Sequence, residues 1–111
     1  MYTDKQQWYQ VLEDSLGLEP SDLDELATIL METLPEAINA LESGSAPKDE
    51  LRRHAHSIKG SAGNLGLHQL AKLADDLETL LLRGSADTPN YCAKLTEIQA
   101  EYDAFVRLMQ T

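Results

Sequence analysis

Apolar residues recur at alternating spacings of four and three through four long stretches of this chain, a pattern that packed α-helices satisfy. The first stretch carries Leu23, Leu26, Ala27, Leu30, Leu34, Ala37, Ile38 and Leu41, and the second Leu51, Ala55, Ile58, Ala62 and Leu65. Leu67, Leu70, Leu73, Ala74, Leu77, Leu80 and Leu81 form the third; Tyr91, Leu95, Ile98, Tyr102, Phe105 and Met109 form the last. Helix punctuation falls between them. Gly44, Gly66 and Gly84 stand where stretches end, and Pro20, Pro47 and Pro89 where they begin. Ser21 is expected to cap the first long helix, and Asp87-Thr88 the last. Pro35 lies inside the first stripe and is expected to kink it near residues 31–35. A shorter segment, residues 4–15, offers Trp8, Val11, Leu12 and Leu16 to one side, with Gly17 to end it. The expected fold class is all-α: an antiparallel four-helix bundle with a short N-terminal capping helix.

A chain of 111 residues suits one domain, spanning residues 1–111, with a modest core and no need of covalent staples. Cys92 is the sole cysteine, which excludes an internal disulfide and fits a reducing compartment. No apolar run approaches the roughly 18 residues of a membrane span, and the N-terminus lacks an apolar signal core. A cytoplasmic monomer is expected. The net charge of −10 argues against nucleic acid or an anionic membrane as partner.

That charge is unevenly spread. Lys48, Arg52, Arg53 and Lys59, four of the nine basic residues, fall within twelve positions that hold only two acids. In their midst His56 lies nearly opposite the stripe of Leu51, Ala55, Ile58, Ala62 and Leu65, so its imidazole is expected in water. Gly60 and Gly63 flank it on the same side. Each glycine inside a helix costs about 1 kcal/mol against alanine, so two beside one imidazole need a reason. Access of a bulky partner to the ring is one; close packing against the next helix is another. About the turn at Gly66-Leu67, an antiparallel pair would set Gly63 against Ala71, Gly60 against Ala74 and His56 against Glu78. A carboxylate accepting from Nδ1–H would fix the tautomer and leave Nε2 as the nucleophile.

Ala55-His56-Ser57-Ile58-Lys59-Gly60-Ser61-Ala62, followed by Asn64-Leu65-Gly66, resembles the signature of histidine-containing phosphotransfer domains. Ile29-Leu30-Met31-Glu32-Thr33-Leu34-Pro35 is similar to the family's preceding helix, and the likeness runs forward to about Arg83. The resemblance implies a carrier in a multistep two-component phosphorelay. His56 would take the phosphoryl group from a receiver aspartate and pass it to another. Lys59 would offset phosphoryl charge, Gly60 would admit the receiver's loops, and Glu78 would orient the ring, as a glutamate at this spacing does in similar chemotaxis domains. The implied partners are response-regulator receiver domains and a hybrid sensor histidine kinase. No cofactor is expected here, Mg2+ belonging to the receiver, and no ATP-dependent kinase activity. Leu12, Leu16 and Leu18, with Arg52, Arg53 and Gly63, are the expected docking residues, because a short helix cannot bury all its apolar side chains.

Other readings are weaker. A kinase dimerisation helix usually has an acid after its histidine and a proline five residues on, where Ser57 and Ser61 stand here. A non-catalytic helical adaptor that binds a response regulator would have no use for His56. The phosphorylatable domain of a hybrid or chemotaxis-type kinase would be followed by further domains, and the N-terminus favours a small free-standing carrier. His54 lies at the flank of the core stripe, His68 starts a helix facing solvent, and His54 and His56 project far apart on their helix. A metal site is not expected.

Overall fold

The computed structural model describes residues 2–84 and 88–111, and Asp87, half of the expected cap, lies outside them. Those residues form five helices and no strand: α1 (Lys5–Leu16), α2 (Pro20–Ser43), α3 (Lys48–Asn64), α4 (His68–Arg83) and α5 (Pro89–Met109). Local chemistry explains the ends. Asp4 caps α1 by accepting from the Gln7 N–H at 2.8 Å, and Gly17 closes it at φ 69°. Pro20 takes the first position of α2, where its missing N–H would be unpaired anyway. The cap therefore moves back to Glu19, whose N–H donates to the Asp22 carboxylate at 3.3 Å; Ser21 is not the cap. Thr88 caps α5 by accepting from the Tyr91 N–H.

The α3 helix stops at Asn64, earlier than Gly66, because Gly66 supplies the left-handed residue beyond the cap at φ 71°. Leu67 N–H donates to the Ala62 carbonyl at 2.9 Å and Gly66 N–H to that of Gly63 at 3.2 Å, a Schellman ending. A Cβ on Gly66 would also meet Tyr2 Oη at 2.7 Å, so only glycine suits this turn.

Three interruptions of backbone pairing are met by aromatic side chains from elsewhere in the chain. Pro35 cannot donate to the Met31 carbonyl, and Tyr102 Oη of α5 donates to it instead at 3.1 Å, while α2 runs on without a break. Near the end of α2 the Leu41 carbonyl accepts from Tyr91 Oη at 2.6 Å; burial pushes that phenol up to about 12. The carbonyls at the α3–α4 turn are met by Trp8 Nε1, at 2.9 Å from Leu65, and by Tyr2 Oη, at 2.9 Å from Gly66. Replacing Tyr102 with Phe should therefore cost about 1–3 kcal/mol in urea unfolding. Pro35→Ala, which restores the donor, should remove most of that cost; equal costs in both backgrounds would show the two features are independent.

The core is drawn from all five helices. α3 packs on α2 and α4, α5 on α4 and α2, and α1 on α2. The stripes differ from expectation at their flanks. Tyr9 is buried in place of Val11, and Leu16 is half exposed. Leu26 lies at the surface beside the exposed Ile29, and Leu80 is only half-buried. At the end of α5, Leu108 is buried and Met109 only partly so. There α1 covers α5: Trp8 meets Phe105 edge-on with ring centres 5.7 Å apart, and Lys5 N–H donates to Thr111 Oγ1.

Candidate functional site

His56 lies midway along α3, on the face turned from the core, with 70% of its side chain exposed. Its Nδ1 is 3.4 Å from Glu78 Oε2 of α4, longer than an ordinary hydrogen bond, so the carboxylate faces that side of the ring without a formed bond. The expected pairing across the α3–α4 turn is thus present. One turn along, Lys59 Nζ sits 2.9 Å from Asp75 Oδ1. The hydrogen bond and charge of Asp75 hold the ammonium above its ordinary pKa, with Glu78 adding a smaller push. Lys59 is therefore partnered by a carboxylate at rest rather than standing alone. The same register sets Lys59 against Asp75, so Asp75 was findable from the sequence by the step that found Glu78.

Gly60 and Gly63 open outward. A Cβ on either would meet nothing within 4 Å, so close packing against α4 does not account for them. On the other side of His56 a shallow hollow of about 550 Å³ is lined by Asp49, Arg52, Arg53, His56, Ser57 and Glu78. Arg52 Nη1 approaches Asp49 Oδ1 only to 3.6 Å, and Arg52 Nε is dry with no partner among the described residues. His54 is half-buried and His68 exposed. Among the described residues no group of three or more His, Cys, Asp or Glu is placed to hold a metal ion.

The apolar docking candidates divide. Leu16 is 50% exposed and Leu18 is half-buried against the core, but Leu12 is only 3% exposed and cannot contribute to a surface. Leu12 packs over Gly66, where its Cδ2 lies 3.0 Å from the position a Cβ would take. Leu26 and Ile29, which were not among the expected docking residues, line a groove between α2 and α3 with Thr33, Ser61 and Asn64. Their place at the edge of the α2 stripe was the available signal.

A model of the Hpt domain matches residues 23–107, which takes in nearly all of α2 and α5 and the whole of the site between them. The chain belongs to the Hpt family. Hpt domains serve phosphotransfer in two-component signalling, and their partners are receiver domains and kinases. Helix α1 lies outside the matched residues although it is packed into the same core. No curated protein and no solved structure matches the chain. No helix among the described residues is long and apolar enough to cross a membrane.

Proposed function

We propose that this Hpt domain is a phosphocarrier that relays a phosphoryl group between receiver-domain aspartates through His56. The observation that carries the proposal is an exposed imidazole whose Nδ1 faces Glu78 at 3.4 Å while no side chain stands at Gly60. With its proton on Nδ1, towards the carboxylate, the neutral ring keeps the Nε2 lone pair directed outward. Nε2 attacks the phosphorus of a receiver acyl phosphate. The Nε2–P bond forms, the P–O bond to the aspartate breaks, and the carboxylate leaves with the electron pair. The reverse step delivers the group to a second receiver. Mg2+ and most of the charge stabilisation belong to the receiver, so this chain supplies a positioned nucleophile and its near surroundings.

The relay would run from a hybrid sensor histidine kinase to a response regulator, with the whole chain, residues 1–111, acting as one monomeric cytoplasmic domain. The pairings of His56 with Glu78, Lys59 with Asp75, Tyr91 with Leu41 and Tyr102 with Met31 support reading α2–α5 as an antiparallel four-helix bundle. Docking would use the His56 face together with Leu16 and Leu18, and the groove at Leu26 and Ile29. Arg52 and Arg53 would draw in the acidic pocket of the receiver, rim charges acting chiefly on association rate. Arg52→Glu with Arg53→Glu should thus slow association in stopped-flow mixing and flatten its salt dependence. Wild-type rates at low salt would remove these arginines from the docking surface.

Purified receiver domains charged with a small-molecule phosphodonor test the central step. On mixing, an acid-labile, base-stable phosphate should appear on His56 within the dead time of manual sampling for the cognate receiver. Phosphate at no histidine, or at another one, would overturn the assignment. Gly60→Gln probes access separately, since the new side chain enters open space beside the ring and favours the helix. Helicity should hold or rise while transfer falls by about 10²-fold, the scale on which misplaced reacting groups lose rate. Undiminished transfer would mean that the gap at Gly60 has no part in admitting the receiver.

A further inference from the structure

We infer that Arg52 is the phosphoryl-binding cation of this site, gripping the oxygens of the group carried on His56 while Lys59 stays engaged by Asp75. The inference rests on the phosphocarrier reading. Arg52 precedes His56 by four residues, so the two side chains project from one face a turn apart. Both line the same hollow of about 550 Å³, with Arg53 and the carboxylates of Asp49 and Glu78. Glu78 faces Nδ1 and so leaves the Nε2 side of the ring to other groups.

Three cations, Arg52, Arg53 and Lys59, stand one turn from His56, and the resting states of Arg52 and Lys59 differ. Lys59 already holds a carboxylate at 2.9 Å. Arg52 holds nothing so firmly. Its Nη1 is 3.6 Å from Asp49 Oδ1, beyond hydrogen-bond range, and that carboxylate is 91% exposed, so water competes for it. Among the described residues its Nε–H is dry and unpaired, a state that costs free energy until a partner arrives. The edge of a guanidinium formed by Nε–H and one Nη–H fits two oxygens of a phosphoryl group, giving two parallel charge-assisted bonds. A phosphoryl group on Nε2 brings such oxygens to the hollow. Turning the side chain towards them exchanges a weak contact with Asp49 and an orphaned donor for a satisfied fork.

Phosphoramidate phosphorylates histidine without any receiver and so isolates this chain's own contribution. Its P–N bond breaks as the Nε2–P bond forms, and ammonia leaves. With the full chain, the rate of His56 phosphorylation at low phosphoramidate should fall about tenfold in Arg52→Gln, the scale of a lost charge-assisted pair. Its dependence on ionic strength should weaken at the same time. Arg52→Lys should recover part of the rate, since a point charge replaces the fork. Lys48→Gln, the same loss of charge one further turn from His56, should stay within about twofold because the intervening water and salt screen it. Melting curves establish that each variant is folded. Equal rates for Arg52→Gln and wild type, or an equal loss in Lys48→Gln, would overturn the role of Arg52 while leaving phosphorylation of His56 in place. A folded wild-type chain that takes no phosphate on His56 would overturn the phosphocarrier reading itself, and this inference with it.

Discussion

His56→Gln leaves the fold and its melting transition unchanged and abolishes phosphoryl uptake. The side chain is 70% exposed and makes no core contact, so its loss belongs with surface changes of about ±0.5 kcal/mol. Glutamine is a good helix former and can still approach Glu78 with its amide N–H. What it lacks is a basic lone pair, because the amide nitrogen's pair is delocalised into the carbonyl. No neighbour can replace it: His54 is half-buried on the far side of α3, and His68 is exposed at the start of α4, beyond the turn. The measurement is radiolabel transfer from a charged receiver beside a thermal melt of the same sample. Acid-labile phosphate on the variant would mean that another histidine is the carrier.

Trp8→Ala strips about 3–5 kcal/mol from the domain, a loss typical of deleting a large buried aromatic. Against a usual total of about 5–15 kcal/mol, that brings the chain close to unfolding. Trp8 is wholly buried, packs edge-on against Phe105 and donates Nε1–H to the Leu65 carbonyl at 2.9 Å. One residue thus ties α1 to α5 and to the α3–α4 turn. Trp8→Phe keeps most of the volume and should lose about 1–3 kcal/mol, the cost of leaving that carbonyl unpaired. Urea unfolding monitored by helix signal measures both. The outcome bears on the domain's extent, because the Hpt match starts at Leu23 and leaves α1 out. If Trp8→Ala costs less than about 1 kcal/mol, the value of a mild surface change, α1 is an appendage and residues 23–107 stand alone.

Much of this architecture was legible in the chain because helical periodicity is a local property. Leu51, Ala55, Ile58, Ala62 and Leu65 are all buried, and the opposite face of α3 is the exposed one. Gly17, Gly44 and Gly66 were readable as stops, and each has the positive φ that an L side chain resists. Pro20 showed where a helix begins but misled on the cap, since Ser21 follows the proline while the cap must precede it. The pairing of His56 with Glu78 was legible for a related reason. A short turn between two straight helices sets their register, and register sets which residues face each other.

What the sequence by itself determined, then, is helix placement, the buried stripe of each helix, and a histidine turned outward among cations and glycines. The tertiary structure alone decided matters that depend on which neighbour covers a surface. Leu12 and Leu26 are both leucines at the edge of an apolar stripe. The first is sealed by the α3–α4 turn and the second is left in a groove, and nothing within either helix distinguishes them. The orphaned Met31 carbonyl followed from Pro35, but its donor comes from Tyr102, 71 positions away. Arg52 and Lys59 look alike as cations near His56; the helix register sets a carboxylate opposite Lys59, but only the packed structure leaves Arg52 Nε dry and without a partner among the described residues. Short-range sterics and hydrogen bonds act along the chain and can be read from it. Burial and ion pairing are properties of the space between helices, which exists only once the chain has folded.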